Sequence, residues 1–450
     1  MQKLLAFADD CNFIPADFRS IRIIFDTVKH FGRASGAEVN ESKSQALPIG
    51  KWKNKTNDPF KLNYVKEIKI FGIHYKNTRN QNPITAWKKL VEEIENLTTK
   101  LYYKETSIFG RSVLVNTLVY PKILYHIHTL DPPAHIIKQI NKCIREFIFK
   151  GTLRNIRHIT LIQDKAHGGI NLQDIETRTK ALRIQYIKNI IQNKDKNALA
   201  HYYMGTYITN LTPLDNRKPH FFGTLPQFQA TCIRYTRQHT NLIHTTKTTK
   251  DIYKAIIKTK ITPLQDQIKR ARPYGITDFS QIFKNLHIKC TTPIQKQIIY
   301  RLLFFNTPLS HPQGRPSATI KPCPTCKQRK IETEQHIFYD CLTIQKTKQS
   351  LQKLLNTKLD TNANTDIHKS IFLNLIPPQP NEIRTIKLHI LAIYRDTLWK
   401  VRLETKFSDK HHTGKTILDM FTHKLTHSLT KEKQWASFER MINEDSDNSE

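Results

Sequence analysis

The sequence predicts a mostly α chain with a small β component concentrated in its first 80 residues. Two observations carry that expectation. Strand-like runs lie in two short stretches, "LLAFADDCNFI" from Leu4 and "EIKIFGIHY" from Glu67. From Trp87 onward the period changes, and apolar residues recur three and four apart in one stripe after another.

In order, residues 4–36 read strand, tight turn, strand and helix. Phe18, Ile21, Phe25, Val28 and Phe31 share one helical face, with Asp17 placed to cap its start and Gly32 and Gly36 to close it. Glu67 to Tyr75 is a further strand-like stretch. Residues 81–151 read as three amphipathic helices forming a small bundle beside the strands. One stripe holds Trp87, Leu90, Val91, Ile94, Leu97 and Leu101. The second holds Val113, Leu114, Leu118, Ile123 and Leu124, and Pro121 must kink it. Ile136, Ile140, Cys143, Ile144 and Phe147 form the third, after Pro132 and Pro133. Lys88, Lys89, Lys100, Lys104, Arg111, Lys138, Lys142 and Arg145 are expected on the exposed faces.

Residues 152–250 read as a partly irregular connector. In it "AHGGINLQDI" suggests a turn into a short strand, "RTKALRIQYIKNIIQN" a basic helix, and "HTTKTTK" at 244–250 a linker or surface loop. "DIYKAIIK" resumes helix, and residues 251–400 form a helical region around a cysteine cluster at 323–341. Residues 401–450 read as a C-terminal helix and a disordered acidic tail.

The formal net charge is +33, from 71 Lys and Arg against 38 Asp and Glu. An AT-rich coding bias inflates Lys but does not explain why acids are scarce. The imbalance points to a polyanionic partner, RNA or DNA. Seven cysteines, an odd number, make no disulfide framework, and Cys11, Cys143, Cys232 and Cys290 read as buried thiols. The residues before the acidic pair are too short for a signal peptide, and no apolar run reaches membrane-spanning length. The expectation is a soluble protein that is not secreted and has no membrane partner.

Two sites carry chemistry. Asp9 and Asp10 stand side by side in a strand-like run, where like charges repel and strands disfavour Asp. They form either the tip of a hairpin or a cradle for a divalent cation. Cys323, Cys326, His336 and Cys341 form a C-x-x-C pair followed by a His and a further Cys, a complete tetrahedral zinc set. Four protein ligands close such a site, so its role is structural. His336 and Cys341 are five apart, about 140° out of register on an ideal helix, so a bend or helix end must fall there.

The order of motifs resembles the C-terminal portion of the reverse transcriptases of non-LTR (LINE-type) retrotransposons. Phe7, Ala8, Asp9 and Asp10 match the family's Phe/Tyr-Ala-Asp-Asp, and Gly36, Asn40, Lys43 and Ser44 its Gly-x-x-x-Asn-x-x-Lys-Ser. Phe71, Gly72 and Ile73 match the primer grip, and Gly110 and Arg111 a Gly-Arg at a thumb-helix start. Phe149, Lys150 and Gly151 stand for Trp-x-Gly, and Gly168, Gly169 and Ile170 for the downstream Gly-Gly-Ile/Leu. Glu332 and Thr333 match the Glu-Thr before the zinc-module His. Ala37, Phe71 and Phe149 depart from the usual Leu, Leu and Trp. The likeness spans about 1–190 and 250–400.

The resemblance implies a partial palm (β-hairpin plus helix) over 1–80, a helical thumb over 81–151, and a helical C-terminal region with a zinc module. It implies that Asp9 and Asp10 hold catalytic Mg2+ for two-metal nucleotidyl transfer with dNTPs, and that Lys43 approaches the nucleotide phosphates. Phe71, Gly72 and Ile73 would position the primer backbone; Arg111 would contact phosphate or cap a helix. A nuclear site of action fits the family; otherwise the cytoplasm is expected. The family's upstream palm aspartate and fingers have no counterpart here, so this chain alone is expected not to polymerise. Two other readings stand beside this one: a non-enzymatic nucleic-acid-binding protein using basic helices and structural zinc, and a metal-dependent nuclease, which would need a third acid.

Overall fold

The computed structural model describes residues 4–7, 10–40, 42–53, 62–70, 73–77, 84–150, 156–193, 227–260, 273–276, 278–309, 322–326, 328, 330–356, 366–377 and 380–431. Among them the fold is mostly α with a small β part, as expected from the change of period. β1 (Leu4–Phe7) and β2 (Asp10–Phe13) pair antiparallel, with Phe7 opposite Asp10. β3 (Gln45–Ala46) and β4 (Asn63–Tyr64) form a short parallel pair, and β5 (Glu67–Ile70) and β6 (Ile73–Lys76) an antiparallel hairpin. The stretch from Glu67 is thus two paired strands rather than one.

Helix α1 (Phe18–Ser35) starts where Asp17 accepts the Ser20 N–H at 2.7 Å. It ends at Gly36, whose φ of 74° is left-handed and whose N–H returns to the Gly32 carbonyl. No residue of α1 is buried, although its apolar stripe is strong; Phe31 and Ile23 are exposed.

The chain forms two compact units, each assembled from separate segments. The first takes residues up to Ile94, Lys122–Gln139 and Glu176–Tyr253. Its helices include parts of α2 (Ile84–Tyr102), α4 (Tyr120–Ile127), α5 (Ala134–Phe149), α7 (Ile175–Gln192) and α10 (Thr249–Lys260), and all of α8 (Gln227–Gln238) and α9 (Asn241–Thr245). Ile187, Ile190, Cys232 and Ile233 form a core with Phe228 and Tyr186 beside them. Arg183 is buried there, and its Nε donates to Asp131 at 2.9 Å while its guanidinium lies over Phe228. Within the connector expected to be partly irregular, Gln227–Gln238 and Asn241–Thr245 are helical, because Cys232 and Ile233 find a core to enter.

The second unit takes Glu95–Pro121, Ile140–Ile175 and the residues from Lys254. It includes α3 (Ile108–Leu114), α6 (His158–Leu161), α11 (Ser280–Leu286), α12 (Pro293–Leu303), α13 (Gln345–Asn356), α14 (Ile367–Leu373), α15 (Asn381–Phe407) and α16 (Gly414–Lys431). The long helix α15 is its centre and packs against α12, α13, α14 and α16. Pro121 was expected to kink its helix; the distortion is a π turn over Val115–Val119 just before it, which absorbs the hydrogen bond that proline cannot donate. The expected strand after Gly169 is irregular: the N–H groups of Ile170 and Leu172 both reach the Leu161 carbonyl.

No helix among the described residues is long and apolar enough to cross a membrane. Of the four scattered thiols only Cys232 is buried; Cys11 is exposed and Cys143 and Cys290 are half-buried. Cys11 fails the expectation because it sits on a two-stranded hairpin whose described residues are nearly all exposed.

Candidate metal centre

Two short structures bring the cysteine cluster together. Pro322 and Ile331 form an antiparallel bridge, and the Cys323 N–H donates to the Lys330 carbonyl at 2.7 Å, closing a loop that carries Cys323 and Cys326. Facing it, His336–Asp340 form a π turn. The Thr333 hydroxyl accepts the His336 N–H at 3.0 Å and so caps the turn that presents the imidazole. The Cys341 N–H returns to the His336 carbonyl at 2.9 Å, and at Cys341 the backbone becomes extended. The wider turn is the bend the five-residue spacing demanded.

One ligand atom from each of Cys323, Cys326, His336 and Cys341 lies within 4.8 Å of all the others. Cys326 Sγ is 3.3 Å from His336 Nε2. A zinc tetrahedron with these ligands has edges of about 3.5–3.8 Å, so the donor set fits zinc with a small contraction. The neighbouring Cys341 holds the Cys323 thiol below its ordinary value, against burial, which pushes it up. Thiols that ionise beside an imidazole nitrogen are the donor set that a divalent cation stabilises.

The surrounding clamp is built of charges. Glu332 is fully buried and accepts from Arg402 Nε of α15 at 2.7 Å, with Lys406 Nζ at 3.7 Å. Arg402 also donates to the Pro308 carbonyl and lies over Trp399. The Tyr394 hydroxyl donates to the Phe338 carbonyl at 3.0 Å. These α15 partners were not singled out from the sequence. The signal was available: Arg395 and Arg402 stand in the apolar stripe of Leu388, Leu391 and Leu398, where an unpartnered charge is costly.

Asp9, Phe71 and Gly72 lie outside the described residues. Asp10 is exposed on β2, and Ile73 begins β6. Among the described residues the cysteine-histidine cluster is the one group of three or more metal-ligating side chains. Lys43 is exposed on a turn folded by Asn40, whose side-chain oxygen accepts the Lys43 N–H at 3.1 Å and whose carbonyl accepts from the Ser44 hydroxyl at 2.9 Å. In the matched motif Asn40 and Ser44 therefore shape the turn that presents Lys43.

Arg111 is buried at 3% exposure, not on the exposed face expected of it. Its Nε donates to the Ile148 carbonyl in the last turn of α5 at 2.6 Å, and its Nη1 to the Thr106 carbonyl at 2.5 Å. Burial holds its pKa below the ordinary guanidinium value, with Tyr102 acting the other way. Of the two roles left open, helix capping is the one this geometry serves.

No family model matches the chain. The chain is 24% identical over 196 residues to the transposon TX1 uncharacterized 149 kDa protein of Xenopus laevis. The match covers 42% of this chain and 15% of that protein, so the chain spans a small part of its relative's length. This similarity relates the chain to a transposon-encoded protein.

Proposed function

We propose that this chain is the C-terminal portion of a non-LTR-type reverse transcriptase, binding RNA and DNA through basic helices around a structural zinc module. In this reading residues 1–80 are the end of the palm and 81–151 the thumb. Copying of RNA into DNA belongs to a longer parent, in which Asp9 and Asp10 serve magnesium and Lys43 the nucleotide, and it takes place in the nucleus. The observation that carries the reading is the buried Cys323, Cys326, His336 and Cys341 set, oriented by Glu332 and Thr333, in a chain similar to a transposon protein. Zinc, when bound, cross-links the Cys323 loop to the π turn; the chain's own residues do the rest. Thr333 orients the imidazole, and Glu332 and Arg402 tie the module to α15.

Three measurements on the purified chain test it. Elemental analysis is expected to find one zinc per chain. Fluorescence anisotropy with labelled RNA and DNA is expected to give micromolar binding that weakens steeply with salt. Primer extension is expected to give no product from this chain alone. A chain without zinc and without affinity at low salt would overturn the proposal.

A further inference from the structure

In the second compact unit, α2 ends on two neighbouring aromatic residues that stay out of the core. Tyr102, its last residue, is 40% exposed, and Tyr103, one past the helix, is 81% exposed. Their ring centroids lie 5.9 Å apart at 79°, edge to face. From the end of α5, Lys150 Nζ stands 5.2 Å from the Tyr102 ring centroid, within cation–π range. The Lys104 N–H returns to the Leu101 carbonyl at 3.1 Å, so the chain turns at once after the pair and leaves Lys104 exposed in the turn.

Folding does not account for this arrangement. An aromatic ring stabilises a fold by leaving water, and a ring as exposed as Tyr103 forgoes that gain. The charge beside it is of one sign: Lys100, Lys104 and Lys150 stand against one acid in residues 100–105, Glu105. Open aromatic faces bordered by lysines are complementary to single-stranded nucleic acid, whose unpaired bases stack on rings while its phosphates meet cations. A duplex keeps its bases stacked on one another and could use the charges alone.

We propose that Tyr102 and Tyr103, with Lys104 and Lys150, form a stacking platform for single-stranded nucleic acid. Tyr103 takes a base on its open ring, Tyr102 braces that ring edge to face, and the lysines meet the backbone phosphates. The choice of a nucleic acid rests on the function proposed above.

The test uses the full chain and a short single-stranded RNA carrying 2-aminopurine, whose fluorescence is quenched by stacking. Y103A is expected to weaken binding about 10-fold at 0.1 M salt and to lose part of the quenching, while Y103W keeps both. The slope of log affinity against log salt should stay unchanged in Y103A, because stacking releases no counterions, and fall by ~0.7 in K104A. Affinity for duplex RNA should not change in Y103A. The control F407A removes another exposed ring, whose neighbour Lys406 is 3.7 Å from Glu332. An F407A chain weakened as much as Y103A, or a duplex that loses as much as the single strand, would refute the platform. RNA bound equally by wild type and Y103A refutes the platform and leaves the wider reading standing; a wild-type chain that binds no RNA removes both. Polyglutamate held with the same dependence on Tyr103 would make this an acidic-protein surface and overturn the assignment.

Discussion

Cys341 donates its backbone N–H to the carbonyl of His336, five residues earlier, across 2.9 Å. In a regular α-helix that carbonyl would pair with the residue four on, and the sulfur would point away from the imidazole. The π turn adds one residue to the ring and brings both ligands to one side. A zinc module is thereby built on a short turn that must be held from outside.

Glu332 and Arg402 provide that hold. Replacing Arg402 with Met takes the 2.7 Å guanidinium partner from the buried Glu332 carboxylate, and should cost about 3–5 kcal/mol. Urea denaturation followed by a probe in the second unit measures it. The double change E332L with R402M should recover much of the loss, since no charge is then left buried. Equal losses in the single and double variants would show that the pair matters for shape, not charge.

Gly169 has no room for a side chain: a Cβ there would sit 1.8 Å from the Gln163 carbonyl oxygen. Backbone cannot move aside as a side chain can, so Gly169→Ala should cost several kcal/mol, on the order of 3 or more. Gly168→Ala meets the Phe283 ring and a left-handed φ of 81°, and should also destabilise. Thermal melts of both variants decide it; a Gly169→Ala chain as stable as wild type would contradict the packing described.

Arg111 separates a structural from a nucleic-acid role. Arg111→Met leaves the Ile148 and Thr106 carbonyls without their donors and should cost about 2–4 kcal/mol. RNA affinity of the folded fraction should stay within about twofold, because the guanidinium does not reach solvent. A chain of normal stability with tenfold weaker RNA binding would reverse that assignment.

His389 of α15 gives a pH dependence. It is buried, its Nε2 lies 2.6 Å from the Ser428 hydroxyl, and burial holds it at about 4. The unfolded chain, titrating near 6.5, takes up a proton that the folded chain resists. Stability from this group is therefore complete above about pH 6.5 and declines as pH falls toward 4, by about 3 kcal/mol at the limit. Urea midpoints between pH 7 and 4 should fall less steeply in His389→Gln than in wild type. Parallel slopes would remove His389 as the cause.

Much of the helical framework was legible because its causes are local. Asp17 caps α1, Gly36 ends it, and the stripe from Trp87 to Ile94 is buried, as spacing alone required. The four zinc ligands were legible for the same reason: ligand type and spacing are written within nineteen consecutive residues, Cys323 to Cys341. The helices at 227–245 were not, since their weak periodicity forms structure only against Ile187 and Ile190.

By itself the sequence determined the mostly α fold class, the basic charge and a complete donor set for one metal. Tertiary structure alone decided which charges are surface and which are interior. Arg111 looks like the lysines around it in the chain, yet it is buried against the Ile148 carbonyl oxygen 37 residues away. The desolvation of a guanidinium is tolerable only where such acceptors arrive, and their arrival depends on how distant segments pack.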